Sequence, residues 1–81
     1  MLHKIEVITQ LKQDILDPQG KTIHQSLQKM SFHDVKSVRV GKNIDLEIEA
    51  PSIEEAKRIA TEMTEKLLYN PIMEVYQVRV R

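Results

Sequence analysis

The residues able to do chemistry in this chain are few and poorly placed for it. Three histidines, His3, His24 and His33, share no ligand spacing. A zinc site would want a pair such as H-x3-H together with further nitrogen or sulfur donors. They read instead as surface or helix-flank histidines. Glu54, Glu55, Glu62 and Glu65 are interleaved with Lys57, Arg58 and Lys66, the pattern of a solvated helix face rather than of a carboxylate dyad. No G-x-x-x-x-G-K-[ST] or G-x-G-x-x-G run occurs, and no serine stands near a positioned base. Two short stretches hold more interest. LDPQGKT, from residue 16, puts Gly20 before a helix start and Lys21 after it. That arrangement can cradle a phosphate, but any loop-to-helix junction shares it. RVGK, residues 39–42, reads as a hairpin tip with solvated charges or as a contact loop.

The elements that would position these residues follow from periodicity. In HKIEVITQL, residues 3–11, Ile5, Val7, Thr9 and Leu11 share one face while Lys4, Glu6, Ile8 and Gln10 share the other, as in a half-buried strand. Pro18 lacks an N–H and biases Asp17 away from helical angles, and Gly20 frees the chain to enter the next element. Ile23, Leu27 and Met30 recur at i, i+4 and i+7, one apolar helix stripe, which Ser31–Asp34 ends. In VKSVRVGKNIDLEIE, residues 35–49, a three-residue turn at Gly41-Lys42-Asn43 would gather all apolar residues on one face. It would also set Arg39 opposite Asp45, with Asn43 left-handed. One long bent strand has the same parity. Ser52 and Glu55 form a capping-box pattern. Ile53, Ala56, Ile59, Ala60, Met63, Leu67 and Leu68 make a long stripe that Asn70-Pro71 closes. Ile72, Tyr76, Val78 and Val80 are in phase on a last strand. The expected architecture is α+β, in the order β-α-β-β-α-β, an antiparallel sheet covered on one face by two amphipathic helices.

Composition bounds the function. At 81 residues a single domain, 1–81, is expected, with a core that supplies only modest stability. Cysteine is absent, which removes disulfides and thiolate metal sites and leaves oligomerisation or docking as support. Ile8, Val35, Met73 and Val75 are out of phase with the buried sets and are the candidate oligomer-interface residues. Twelve basic and twelve acidic side chains cancel, so no electrostatic footprint for nucleic acid is written. No run resembles a signal peptide or approaches a membrane span.

Taken together, LK at 11–12, LDPQG at 16–20, VRVGK at 38–42 and LLYNP at 67–71 followed by Glu74 are similar to the PurS family, the small subunit of phosphoribosylformylglycinamidine synthase. Tyr69 stands where a smaller residue is expected in the family. The resemblance implies a non-catalytic subunit in de novo purine biosynthesis. It implies dimers or tetramers, a cytoplasmic location, and partnership with a large synthetase subunit and a glutaminase subunit. Assembly and ammonia passage would be its work. No cofactor is implied in this chain; ATP and magnesium would belong to the large subunit. No catalytic residue is implied either. Candidate partner contacts are Asp17, Pro18, Gly20, Arg39, Gly41, Lys42 and Asn70, since a stiff loop loses less entropy on docking. Two other readings compete. A regulatory module binding a small molecule as a homodimer would melt higher with its effector, and an enzyme with a site across a dimer would turn over without partners.

Overall fold

The computed structural model describes Met1–Arg81. Three strands, β1 (Leu2–Leu11), β2 (Gly41–Glu49) and β3 (Glu74–Val80), form one antiparallel sheet in the order β2-β1-β3. The helices are α1 (Pro18–Lys29) and α2 (Ile53–Met63), the latter continued by a π-helical turn, Thr64–Leu68. The fold is α+β. None of the helices is long and apolar enough to cross a membrane.

The strand phases hold. Ile5, Val7 and Thr9 are fully buried in β1, and Ile5 pairs with Leu46 and Val80 across the two ladders. Ala56 and Ala60 lie fully buried on α2 and join Ile5, Ile48 and Ala50 in the core, with Leu46, Ile53, Ile59 and Val78 around them. Small side chains on the buried face let a helix lie close to a sheet. Ser52 caps α2 by accepting from the Glu55 amide at 3.2 Å. The stripe then departs from a regular helix. Tyr69 N–H donates to Thr64 O, an i to i−5 bond. The widened turn buries Thr64, whose hydroxyl donates to Ala60 O. Met63 and Leu67 are left exposed, Leu67 by 82%. Beyond the turn, Tyr69 meets Tyr76 edge to face at 4.7 Å.

Two expectations fail, and they fail together. Residues 35–40 are not a strand, and Gly41-Lys42-Asn43 is not a turn: these three pair with Gln10, Thr9 and Ile8 as the start of β2. No hairpin exists, Arg39 does not face Asp45, and Asn43 is not left-handed. Val35–Val40 has no strand partner. Its backbone groups bond side chains instead: Val35 O accepts from His24 Nε2–H and Gln28 Nε2–H, both at 3.1 Å, and Val40 N–H donates to Asp17 Oδ2 at 2.7 Å. Nor does α1 pack on the sheet; only α2 does. Strands sit about 4.8 Å apart and a helix is about 10 Å across, so three strands seat one helix. A fourth strand would have been needed to seat two. The molecule is accordingly thin and long, 51 × 25 × 14 Å.

Helix α1 nevertheless has well-formed ends. Asp17 Oδ1 accepts from the Gly20 amide at 2.9 Å and Pro18 opens the first turn. At the other end Ser31 is left-handed, φ 73°. Phe32 N–H bonds Leu27 O and Ser31 N–H bonds Gln28 O, a Schellman closure that glycine usually makes.

Candidate functional site

Most of the candidate partner contacts converge at the root of α1, where the end of β1 meets the start of β2. Asp17 is at the centre and only 6% exposed. Its carboxylate takes Gly20 N–H on one oxygen and Val40 N–H on the other. Those two amides, Gly20 first, hold its pKa below the ordinary carboxylate value; Arg39 adds to this and burial opposes it. Arg39 donates to Lys12 O at 2.9 Å and Ile15 O at 3.0 Å. The LDPQG loop is thus clamped from both sides, by a carboxylate on amides and by a guanidinium on carbonyls.

Gly20 and Gly41 serve this site by their lack of a side chain, since neither has a positive φ. A Cβ at Gly41 would stand 2.6 Å from Thr9 O, and one at Gly20 would collide with Val38 O and with the Asp17 carboxylate. Close backbone approach, not turn conformation, demands glycine here.

Lys42 extends the site outward. Its ammonium lies 3.8 Å from Glu74 Oε2, and Glu74 Oε1 accepts from the Asn70 amide at 2.8 Å. Asn70 Oδ1 in turn accepts from Ile72 N–H. A cleft of about 270 Å³ lies among Thr9, Gln10, Asp17, Gln19, Lys42 and Glu74. Asp17, Gly20, Arg39, Gly41, Lys42 and Asn70 are therefore one connected cluster, with Pro18 beside it at the head of α1. Sequence reasoning missed Glu74 and Gln19 as members. The signal for Glu74 was its phase with Tyr76 and Val78, which turns a carboxylate to the inner face. Thr9 was read as a core position, and its buried hydroxyl has no partner.

The candidate oligomer-interface residues are not brought together in this way. Ile8 and Val75 share the outer face of the sheet, where they flank Gln10 and Gln77. That face is otherwise charged, with ion pairs Glu6–Arg79, Asp45–Arg81 and Glu49 with the N-terminus. Met73 lies in the turn before β3, and Val35 in the segment beside α1.

Chemically the cluster holds a loop. No three His, Asp or Glu side chains converge as metal ligands. His3 bonds Ala50 O, His24 bonds Val35 O and His33 donates to Gln28. The carboxylates of α2 pair with its own bases, Glu55 with Arg58 and Glu62 with Arg58 and Lys66, as on a solvated face.

Residues 4–81 match the family model PurS, described as phosphoribosylformylglycinamidine (FGAM) synthase. The PurS subunit of that synthase from Methanocaldococcus jannaschii is 38% identical over 98% of this chain and 95% of its own length. The one from Thermotoga maritima is 40% identical over 96% of this chain and 95% of its own. The M. jannaschii crystal structure superposes with a TM-score of 0.87, covering all of this chain and 96% of the other. A chain in the structure of PurLQS from T. maritima superposes at 0.93 with 38% identity, covering all of this chain and 99% of that one.

Proposed function

Because the chain belongs to the PurS family, we propose that it serves the phosphoribosylformylglycinamidine synthase complex of purine biosynthesis as an assembly subunit. In this reading residues 1–81 act as one domain, in the cytoplasm. They bridge a large synthetase subunit and a glutaminase subunit and so help ammonia pass from one to the other. ATP and magnesium act in the large subunit, and the chemistry is done there and in the glutaminase. The observation that carries the reading is the near-complete likeness to the chain within PurLQS. The clamped cluster supports it: Asp17 and Arg39 spend their charges on backbone groups. The loop is thereby stiffened, and a stiff loop is cheap to dock.

Lys42 is the contact we assign to the large subunit. Its side chain is 56% exposed and its one ion pair is long. A partner carboxylate can therefore capture it, and loss of such a desolvated contact costs about 2 kcal/mol or more of association energy. Lys42→Ala and Arg39→Ala should be compared with the parent chain in glutamine-dependent synthase activity of the reconstituted complex, with this chain limiting. Lys42→Ala should melt as the parent does and weaken association roughly 30-fold, read as lost activity at limiting protein. Full activity from both variants would make these loops turns only and move the interface elsewhere.

A further inference from the structure

The cleft of about 270 Å³ beside the clamped loop contains a group that the fold does not use. Thr9 lines it; the residue is fully buried and its hydroxyl has no hydrogen-bond partner. A buried hydroxyl without a partner costs its desolvation and returns nothing, so folded proteins rarely keep one. The preceding inner positions of β1, Ile5 and Val7, are aliphatic and equally buried. Valine at position 9 would have nearly the same shape and no such cost.

The register shows what lies over this hydroxyl. Thr9 pairs with Lys42 on β2 and with Tyr76 on β3, and the next inner position, Leu11, pairs with Glu74. Because β1 is the middle strand, the Lys42–Glu74 ion pair spans it from one edge strand to the other, across Thr9 and Leu11. At 3.8 Å, with the lysine side chain 56% exposed, this is a loose bridge, and such pairs contribute little to stability. The neighbouring charges are committed: Asp17 to the amides of Gly20 and Val40, Arg39 to the carbonyls of Lys12 and Ile15. What remains for a ligand is one cation, one anion and one hydroxyl. Gln19 stands beside them, and Leu11 and Val40 give an apolar wall.

We propose that this cleft is a binding site for a small zwitterion, a free α-amino acid with a short polar side chain. The ligand's carboxylate pairs with the Lys42 ammonium and its ammonium with Glu74 Oε2, so one loose bridge is exchanged for two charge-assisted contacts. Glu74 Oε1 stays on the Asn70 amide. The ligand's side chain supplies the partner that Thr9 Oγ1 lacks. A simple anion would leave Glu74 uncompensated, and a simple cation would leave Lys42 so. The volume lies below the range of about 300–1,000 Å³ that holds drug-sized ligands, which fits a molecule of this size. Lys42 is also the residue assigned above to the large subunit, so the free chain is the form that takes the ligand. Binding needs no other subunit, and its test is separate from that of the synthase reading.

Titration of the isolated 15N-labelled chain with L-asparagine, followed by amide NMR, should give saturable shifts at Thr9, Gly41, Lys42 and Glu74 in the millimolar range. Acetate and methylammonium, each carrying one of the two charges, should not saturate there. Glu74→Gln keeps an acceptor for the Asn70 amide and should weaken binding about 10-fold or more. Thr9→Val should weaken it about 5-fold or more and melt no lower than the parent, because no bond within the chain is lost. Absence of saturable shifts with L-asparagine, as where only water fills the cleft, overturns the proposal. So does equal saturation by acetate or methylammonium, or binding that either variant leaves unchanged. A lower melting temperature for Thr9→Val would show that the hydroxyl already serves the fold, and would overturn it too.

Discussion

The two helices have similar amphipathic stripes and opposite fates. Helix α2 is held by packing: Ala56 and Ala60 are fully buried against Ile5, Ile48 and Ala50. Helix α1 is held by hydrogen bonds at its two ends, and Gly20 is its one buried residue. Hydrophobic burial is non-directional and grows with the area removed from water, so it suits a helix that must stay on the sheet. Hydrogen bonds are directional, so they suit an arm that must point away at a fixed angle. An apolar stripe gives a helix one face that favours burial; it does not say which surface will meet that face.

The sharpest break of this comparison is a cavity in each region. Ile5→Ala should cost roughly 2–5 kcal/mol in urea unfolding, because Ile5 is fully buried under α2. Leu27→Ala, measured under monomeric conditions, should cost little. Equal losses would mean that α1 shares the core after all.

Glycine replacements come next. Gly20→Ala and Gly41→Ala should each cost about 1–3 kcal/mol through overpacking, since neither backbone leaves room for a Cβ. Hydrogen exchange separates them: Gly20→Ala should deprotect residues 18–29 and spare the strands, whereas Gly41→Ala should deprotect the β1–β2 ladder. Uniform loss in both variants would erase the distinction between arm and body.

Acid gives a gentler test. Asp17 is held below its ordinary pKa by the Gly20 and Val40 amides, so its folded value lies under the unfolded one, about 3.9. Its stabilising contribution is complete above about pH 4 and fades as pH falls through the depressed folded value. Amide protection in α1 should therefore weaken below pH 4, and Asp17→Asn should remove that acid limb. An unchanged limb in the variant would assign it to Asp45, Glu55 and Glu62, whose pKa values are lowered by Arg81, by Arg58 and by Lys66 respectively.

The smallest effect has the opposite sign. Ser31 takes the left-handed angle at the end of α1, where a side chain costs about 1–2 kcal/mol and glycine does not. Ser31→Gly should raise protection in α1 and leave the core strands unchanged. A lower melting temperature would show that the serine side chain contributes more than its strained backbone costs.

Features of the sequence that act within a few residues were legible. The phase of Ile5, Val7 and Thr9, the Ser52 cap, and the Pro18–Gly20 entry into α1 are set by local sterics and by side chains reaching their own backbone. The convergence of Asp17, Gly20, Arg39, Gly41 and Lys42 was foreseen as a list of residues but not as one place, because it rests on the register of β1 with β2. Alternation in residues 35–40 could not reveal that their backbone would bond Asp17, His24 and Gln28 instead of a strand. The π turn that exposes Leu67 likewise left no mark in a stripe spaced for a regular helix. Pattern gives each residue a face, and a face is a local property. Which surface it meets depends on how many strands the sheet has, and three strands have width for only one of the two helices.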